Sequence, residues 1–172
     1  MYASLAAAVA LWHDRPAMEI EHARAIAERL QLGNHEEDGT PVLRHVRRVA
    51  FAVPAEARAV AWLHEVLEWT GVTEQELLIA GLTNDELHAL RLLSRPTDSR
   101  SDRWYFAHLD LMAHATGDSG RLARIVKTAD LEDRSLHPHI RSNGWSPPYA
   151  QALKLLRETR NHRYRMETAC RT

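Results

Sequence analysis

Ala61-Trp62-Leu63-His64-Glu65-Val66-Leu67-Glu68-Trp69-Thr70 is the stretch on which the reading of this chain turns. It closes a segment, 55–70, rich in Ala, Leu and Glu with apolar residues three and four apart, the spacing of one buried helical face. In a helix advancing about 100° per residue, His64 and Glu65 are surface neighbours and Glu68 lies one turn on, above His64. Three groups able to bind a metal or move a proton then share one sector. From this segment alone, a solvated helix that merely presents Glu and His is an equal alternative.

Outward from it, the same periodicity predicts helices over 18–32 and 42–53. Thr73 with Glu76 and Thr83 with Glu86 form two capping boxes, in which hydroxyl and carboxylate satisfy the orphan amides of a helix start. Gly81 is a stop between them, and Pro96 follows the second helix. Further helices are expected over 104–116 and 121–133, with Gly117-Asp118-Ser119-Gly120 as the turn between. A last one is expected from Ser146 as N-cap and Pro147 at its first position to about Arg160, with a fraying polar tail after His162. Segments 34–39, 97–102 and 137–148 read as loops. Strand alternation and hairpin turns are scarce. The expectation is an all-α, single-domain antiparallel helical bundle spanning 1–172.

Composition narrows the function classes. The 172 residues carry 22 Lys plus Arg against 23 Asp plus Glu, a net charge of −1, so nothing global draws the chain to nucleic acid or an anionic membrane. The longest apolar run, 3–12, is far short of the roughly 20 residues that span a bilayer, and no basic residue precedes it as in a signal peptide. It reads as a short core helix. The single Cys170 excludes an internal disulfide and fits a cytoplasmic location. Eleven histidines permit metal or acid–base chemistry.

Two other segments join the first. Gly39-Thr40-Pro41-Val42-Leu43-Arg44-His45-Val46-Arg47-Arg48-Val49 puts a His on a helix with an apolar face of Val42, Val46 and Val49. Ile125-Val126-Lys127-Thr128-Ala129-Asp130-Leu131 puts an Asp inside an apolar run. A buried carboxylate there needs an ion pair, as with Lys127 or Arg134, or a metal.

In this order His45, His64-Glu65 and Asp130 resemble the HD superfamily of metal-dependent phosphohydrolases. The Gly-Thr-Pro lead-in to His45, the Leu-His-acid-x-x-Glu-x-Thr pattern and the Lys-x-Ala-Asp ending are most similar to the hydrolase domain that degrades the alarmone ppGpp, over about 18–134. The resemblance implies an HD-type bundle whose His45, His64, Glu65 and Asp130 hold one divalent ion, usually manganese. Two imidazoles and two carboxylates equally suit iron, zinc or nickel, with open positions for water and phosphate. Glu68 matches the acid that helps activate water. Arg103 and Tyr105 match a basic residue and a Tyr near the pocket. Arg44, Arg47, Arg48 and Lys127 are candidates to meet an anionic substrate, with Lys127 also placed to orient Asp130. The implied partner is a small, nucleotide-like phosphorylated substrate.

The chain also departs from that pattern. The second ligand is ordinarily Asp and here is Glu65, longer by a methylene. Trp69 stands where a second catalytic acid is found, where it could stack on a base or join the core. Arg134 replaces an Asn, and Glu36, Glu37 and Asp38 replace basic residues. All four changes point away from ppGpp itself as the substrate, and Glu65 also carries the rival expectation, a catalytically degenerate HD module that binds metal or nucleotide as a sensor or scaffold. A zinc peptidase is excluded because His64-Glu65-Val66-Leu67-Glu68 lacks the second His. His137-Pro138-His139 reads as exposed loop, and no nucleophile elbow or phosphate-binding glycine loop is present.

Overall fold

The structure, a computed structural model, describes residues 16–36, 38–94, 101–137 and 148–169, with the backbone alone for 160–169. Among the described residues there are nine helices: α1 Ile20–Gln31, α2 Val42–Ala52, α3 Ala55–Leu63, α4 Val66–Trp69, α5 Glu74–Ile79, α6 Asn84–Leu93, α7 Asp102–His114, α8 Gly117–Leu136 and α9 Tyr149–Ala169. They contain no strand beyond one isolated bridge, His35 to Pro41.

Small residues set how closely the helices approach. In α3 the side chains of Ala57, Val60, Ala61 and Leu63 are almost wholly enclosed, and such a helix, apolar nearly all round, belongs inside a bundle. It packs on α1, α2 and α8. The 20-residue α8 is the central strut, touching α2, α3, α6, α7 and α9. One apolar cluster joins α1–α3, α6 and part of α8. A second, around Tyr105, Leu109, Leu131, Leu153 and Leu156, joins the other side of α8 to α7 and α9.

Both capping boxes form, with Thr73 and Thr83 each accepting from the amide three residues on. Glu86 also accepts the Met18 amide at 3.0 Å, tying the start of the described chain to α6. Gly81, at φ 111°, closes α5 as the left-handed residue of a Schellman turn, with Leu82 N–H donating to the Leu77 carbonyl at 3.1 Å.

Three expectations are corrected. The helix expected over 55–70 breaks at His64–Glu65: Glu65 sits at φ −100°, ψ −6°, and the ladder restarts as Glu68 and Trp69 amides bond to the Glu65 carbonyl. Both side chains are drawn inward to buried partners, and that tertiary demand outweighs local propensity. Gly117 to Gly120 is the first turn of α8 and not a connector. Gly117 enters at φ 71°, and a Cβ on Gly120 would lie 2.4 Å from the Ala115 carbonyl oxygen, so the glycines allow a tight joint with α7. Finally, α9 continues to Ala169, since no Gly or Pro interrupts it after Tyr149. The expectations for 3–12, Pro96, Pro138, His139, Ser146 and Pro147 lie outside the described residues.

Candidate metal centre

Three pieces of chain build a buried polar centre. Helix α2 brings His45, the α3–α4 break brings His64 and Glu65, and α8 brings Asp130; all four are buried, and one donor atom from each lies within 4.8 Å of the others. His45 Nε2 is 3.2 Å from His64 Nε2, 3.1 Å from Asp130 Oδ1 and 3.6 Å from Glu65 Oε1.

The far nitrogen of each ring is committed elsewhere. His64 Nδ1 donates to the Ala61 carbonyl at 2.7 Å, which leaves Nε2 as a lone pair when the ring is neutral. His45 Nδ1 lies 2.7 Å from Asp133 Oδ2, and Arg48 holds that same carboxylate through Nε at 2.6 Å and Nη2 at 2.8 Å. Fixing one ring nitrogen aims the other, as in metal-ligating histidines.

The carboxylates are held just as firmly. Lys127 Nζ lies 2.6 Å from Asp130 Oδ2, and Arg134 donates from Nε to Asp130 Oδ1 at 2.8 Å and from Nη2 to Glu65 Oε1 at 2.6 Å. Trp69 Nε1 donates to Glu65 Oε2 at 2.8 Å. Two donors and the bent backbone thus hold the longer Glu65 side chain, whose extra methylene does not carry it away from the cluster.

Electrostatics follow the geometry. Burial alone would raise both carboxylates, but Arg134 with the histidines brings Glu65 well below the usual range, and Lys127 with Arg134 does the same for Asp130. For His45, burial and Arg134 disfavour the imidazolium, yet its bonds to Asp130, Asp133 and Glu65 prevail and lift it to about 10. Burial moves His64 the other way. Without metal, His45 is the proton carrier of the pair and His64 the neutral ring.

Glu68 is exposed on α4, across the break from His64 and not stacked above it in one helix. Arg44, Arg47 and Arg103 are also exposed, with Arg47 lying 5.7 Å over the Phe51 ring. Arg48 and Lys127, two expected substrate contacts, are turned onto Asp133 and Asp130, and Tyr105 is buried in the second apolar cluster. Trp69 is neither core nor free: the residue is 38% exposed while its N–H holds Glu65. Sequence reasoning did not single out Asp133, and it noted Arg134 without placing it in the centre. Their signal was present as spacing, since Asp133 and Arg134 follow Asp130 by one helical turn.

The donor set fits a first-row divalent ion: two aimed imidazole nitrogens and two anionic oxygens, close enough to share one centre. A recess of about 470 Å³ lined by Asn34, Trp69, Thr70 and Glu76 adjoins this centre through Trp69.

No protein-family model and no curated protein matches the sequence. Among solved structures, one titled "A metazoan ortholog of SpoT hydrolyzes ppGpp and plays a role in starvation responses" matches with a TM-score of 0.64. The match covers 84% of this chain and 88% of that one at 18% identity. The described residues therefore form an all-α bundle that shares the fold of that protein.

Proposed function

We propose that this chain is a single-domain, metal-dependent phosphohydrolase acting on a phosphate ester or pyrophosphate of a nucleotide-like compound, with an alarmone among the substrates to try first. The observation that carries the reading is the convergence of His45, His64, Glu65 and Asp130 on one buried point. It is supported by a fold shared with a metazoan SpoT ortholog that hydrolyses ppGpp. A divalent ion, manganese first and iron, zinc or nickel next, supplies Lewis acidity toward phosphoryl oxygens and acidifies water when bound.

The chain's own groups do the rest. His45 and His64 present Nε2, aimed by Asp133 and the Ala61 carbonyl, while Glu65 and Asp130 supply negative charge. Glu68 accepts the proton of the attacking water from its exposed place on α4. Arg44, Arg47 and Arg103 meet the anionic substrate, Lys127 and Arg48 act by positioning Asp130 and Asp133, and the recess beside Trp69 takes the non-reacting part. Among the described residues no helix is long and apolar enough to cross a membrane, and we place the activity in the cytoplasm.

The test is a hydrolysis screen over alarmones, nucleotides and small phosphate esters with added Mn²⁺. Turnover by the wild type, abolished in a His64→Ala/Asp130→Ala variant, is the expected result. Glu68→Gln is expected to lower kcat by about 10²-fold or more with metal retained. A second reading, a catalytically silent sensor or scaffold, is favoured by one observation: Lys127 and Arg134 already satisfy the carboxylates. Metal occupancy without turnover of any substrate would select it.

A further inference from the structure

Arg134 and Lys127 both contact Asp130, but not equivalently. Lys127 takes Oδ2, whereas the His45 contact is with Oδ1. Arg134 takes Oδ1 of Asp130 and Oε1 of Glu65, the two oxygens that approach His45 Nε2 at 3.1 and 3.6 Å. The guanidinium fork thus bridges the very atoms that would face a metal. Charge points the same way: buried Lys127 and Arg134 are already paired with the two ligand carboxylates, so a divalent ion would meet oxygens that already have cationic partners. The guanidinium also has a second anion within reach, since Nη1 lies 3.7 Å from Oε2 of buried Glu36.

We propose that Arg134 is an internal counter-cation that competes with the divalent metal: it clasps Glu65 and Asp130 when metal is absent and cedes them, toward Glu36, when metal binds. The inference rests on the cluster being a metal centre and concerns what sets its affinity. Cation and metal attract the same oxygens and repel each other in a site with little water to screen them. Arg134 therefore weakens metal binding while stabilising the metal-free protein.

The test is Mn²⁺ titration by calorimetry, in the absence of substrate, on the full chain and two variants. Arg134→Gln removes the charge and is expected to bind Mn²⁺ about tenfold or more tightly than wild type, a common size for coupling between two ligands. Arg134→Lys keeps the charge without the fork and should fall between. Melting of the same proteins should show Arg134→Gln less stable than wild type without metal and recovering with Mn²⁺. A purely structural role predicts weaker metal binding in both variants, so affinity equal to or below wild type overturns the proposal. If Arg134→Gln does not fold, Arg134→Lys decides alone, with tighter binding supporting the proposal and equal or weaker binding rejecting it. Absence of Mn²⁺ binding by wild type and variants alike would remove the metal-centre reading together with this one.

Discussion

Helix α8 presents two unlike faces a residue apart. Asp130, Asp133 and Arg134 enter the polar centre with α2 and the α3–α4 break, whereas Leu131 enters the apolar cluster with Tyr105, Leu109 and α9. On the apolar side each contact is non-directional, so shape and volume suffice and removing a group leaves a cavity. On the polar side each group is satisfied only by particular partners, and removing one strands the others as buried charges. One helix therefore carries a face that tolerates change in proportion to volume and a face where a single deletion unbalances a network.

The sharpest way to break this contrast is Asp130→Ala. It leaves Lys127 and Arg134 without their shared anion, with an expected loss of about 3–5 kcal/mol in urea unfolding and of Mn²⁺ uptake by elemental analysis. A loss below about 1 kcal/mol would show the network to be loosely coupled. Leu131→Ala, one residue on, should cost about 3 kcal/mol through its cavity yet leave Mn²⁺ affinity at the wild-type value. A matching loss of metal there would mean that the two faces do not act separately.

The third effect is graded with pH and belongs to the polar face alone. His45 is raised from 6.5 to about 10 by its carboxylate partners acting against burial. Its contribution to the metal-free fold is full below 6.5 and is lost as pH rises through about 10. Asp130 and Asp133 are lowered against burial, by Lys127 and Arg134 in one case and by His45 and Arg48 in the other. Their contributions are full above the ordinary Asp value of 3.8 and are lost as pH falls through their folded values. Urea midpoints of metal-free protein should therefore fall between about pH 6 and about pH 9.5, and His45→Gln should flatten that decline. An unchanged decline in His45→Gln would assign it elsewhere. The smallest effect sharpens the role of Trp69: Trp69→Phe keeps a ring but loses the bond to Glu65, at an expected cost of about 1 kcal/mol with a few-fold weaker Mn²⁺ affinity. No change in either would make that bond incidental.

What the sequence determined by itself was local. Apolar spacing made the chain all-α, and Thr73/Glu76 and Thr83/Glu86 marked two helix starts because their bonds run within one turn. The four donor residues, His45, His64, Glu65 and Asp130, were legible as residue types in a familiar order, and pairing of Asp130 with Lys127 or Arg134 was legible from helical spacing. Tertiary structure decided what lies beyond one turn. The bond from Arg134 to Glu65 spans 69 residues, that from Arg48 to Asp133 spans 85, and that between His45 and Asp133 spans 88. The break at Glu65, the turning of Arg48 onto Asp133 and of Lys127 onto Asp130, and the capture of Glu65 by Trp69 all belong to this second kind. Helix propensity is settled by neighbours three and four residues away, whereas a buried charge is settled by whichever opposite charge packing brings within about 3 Å.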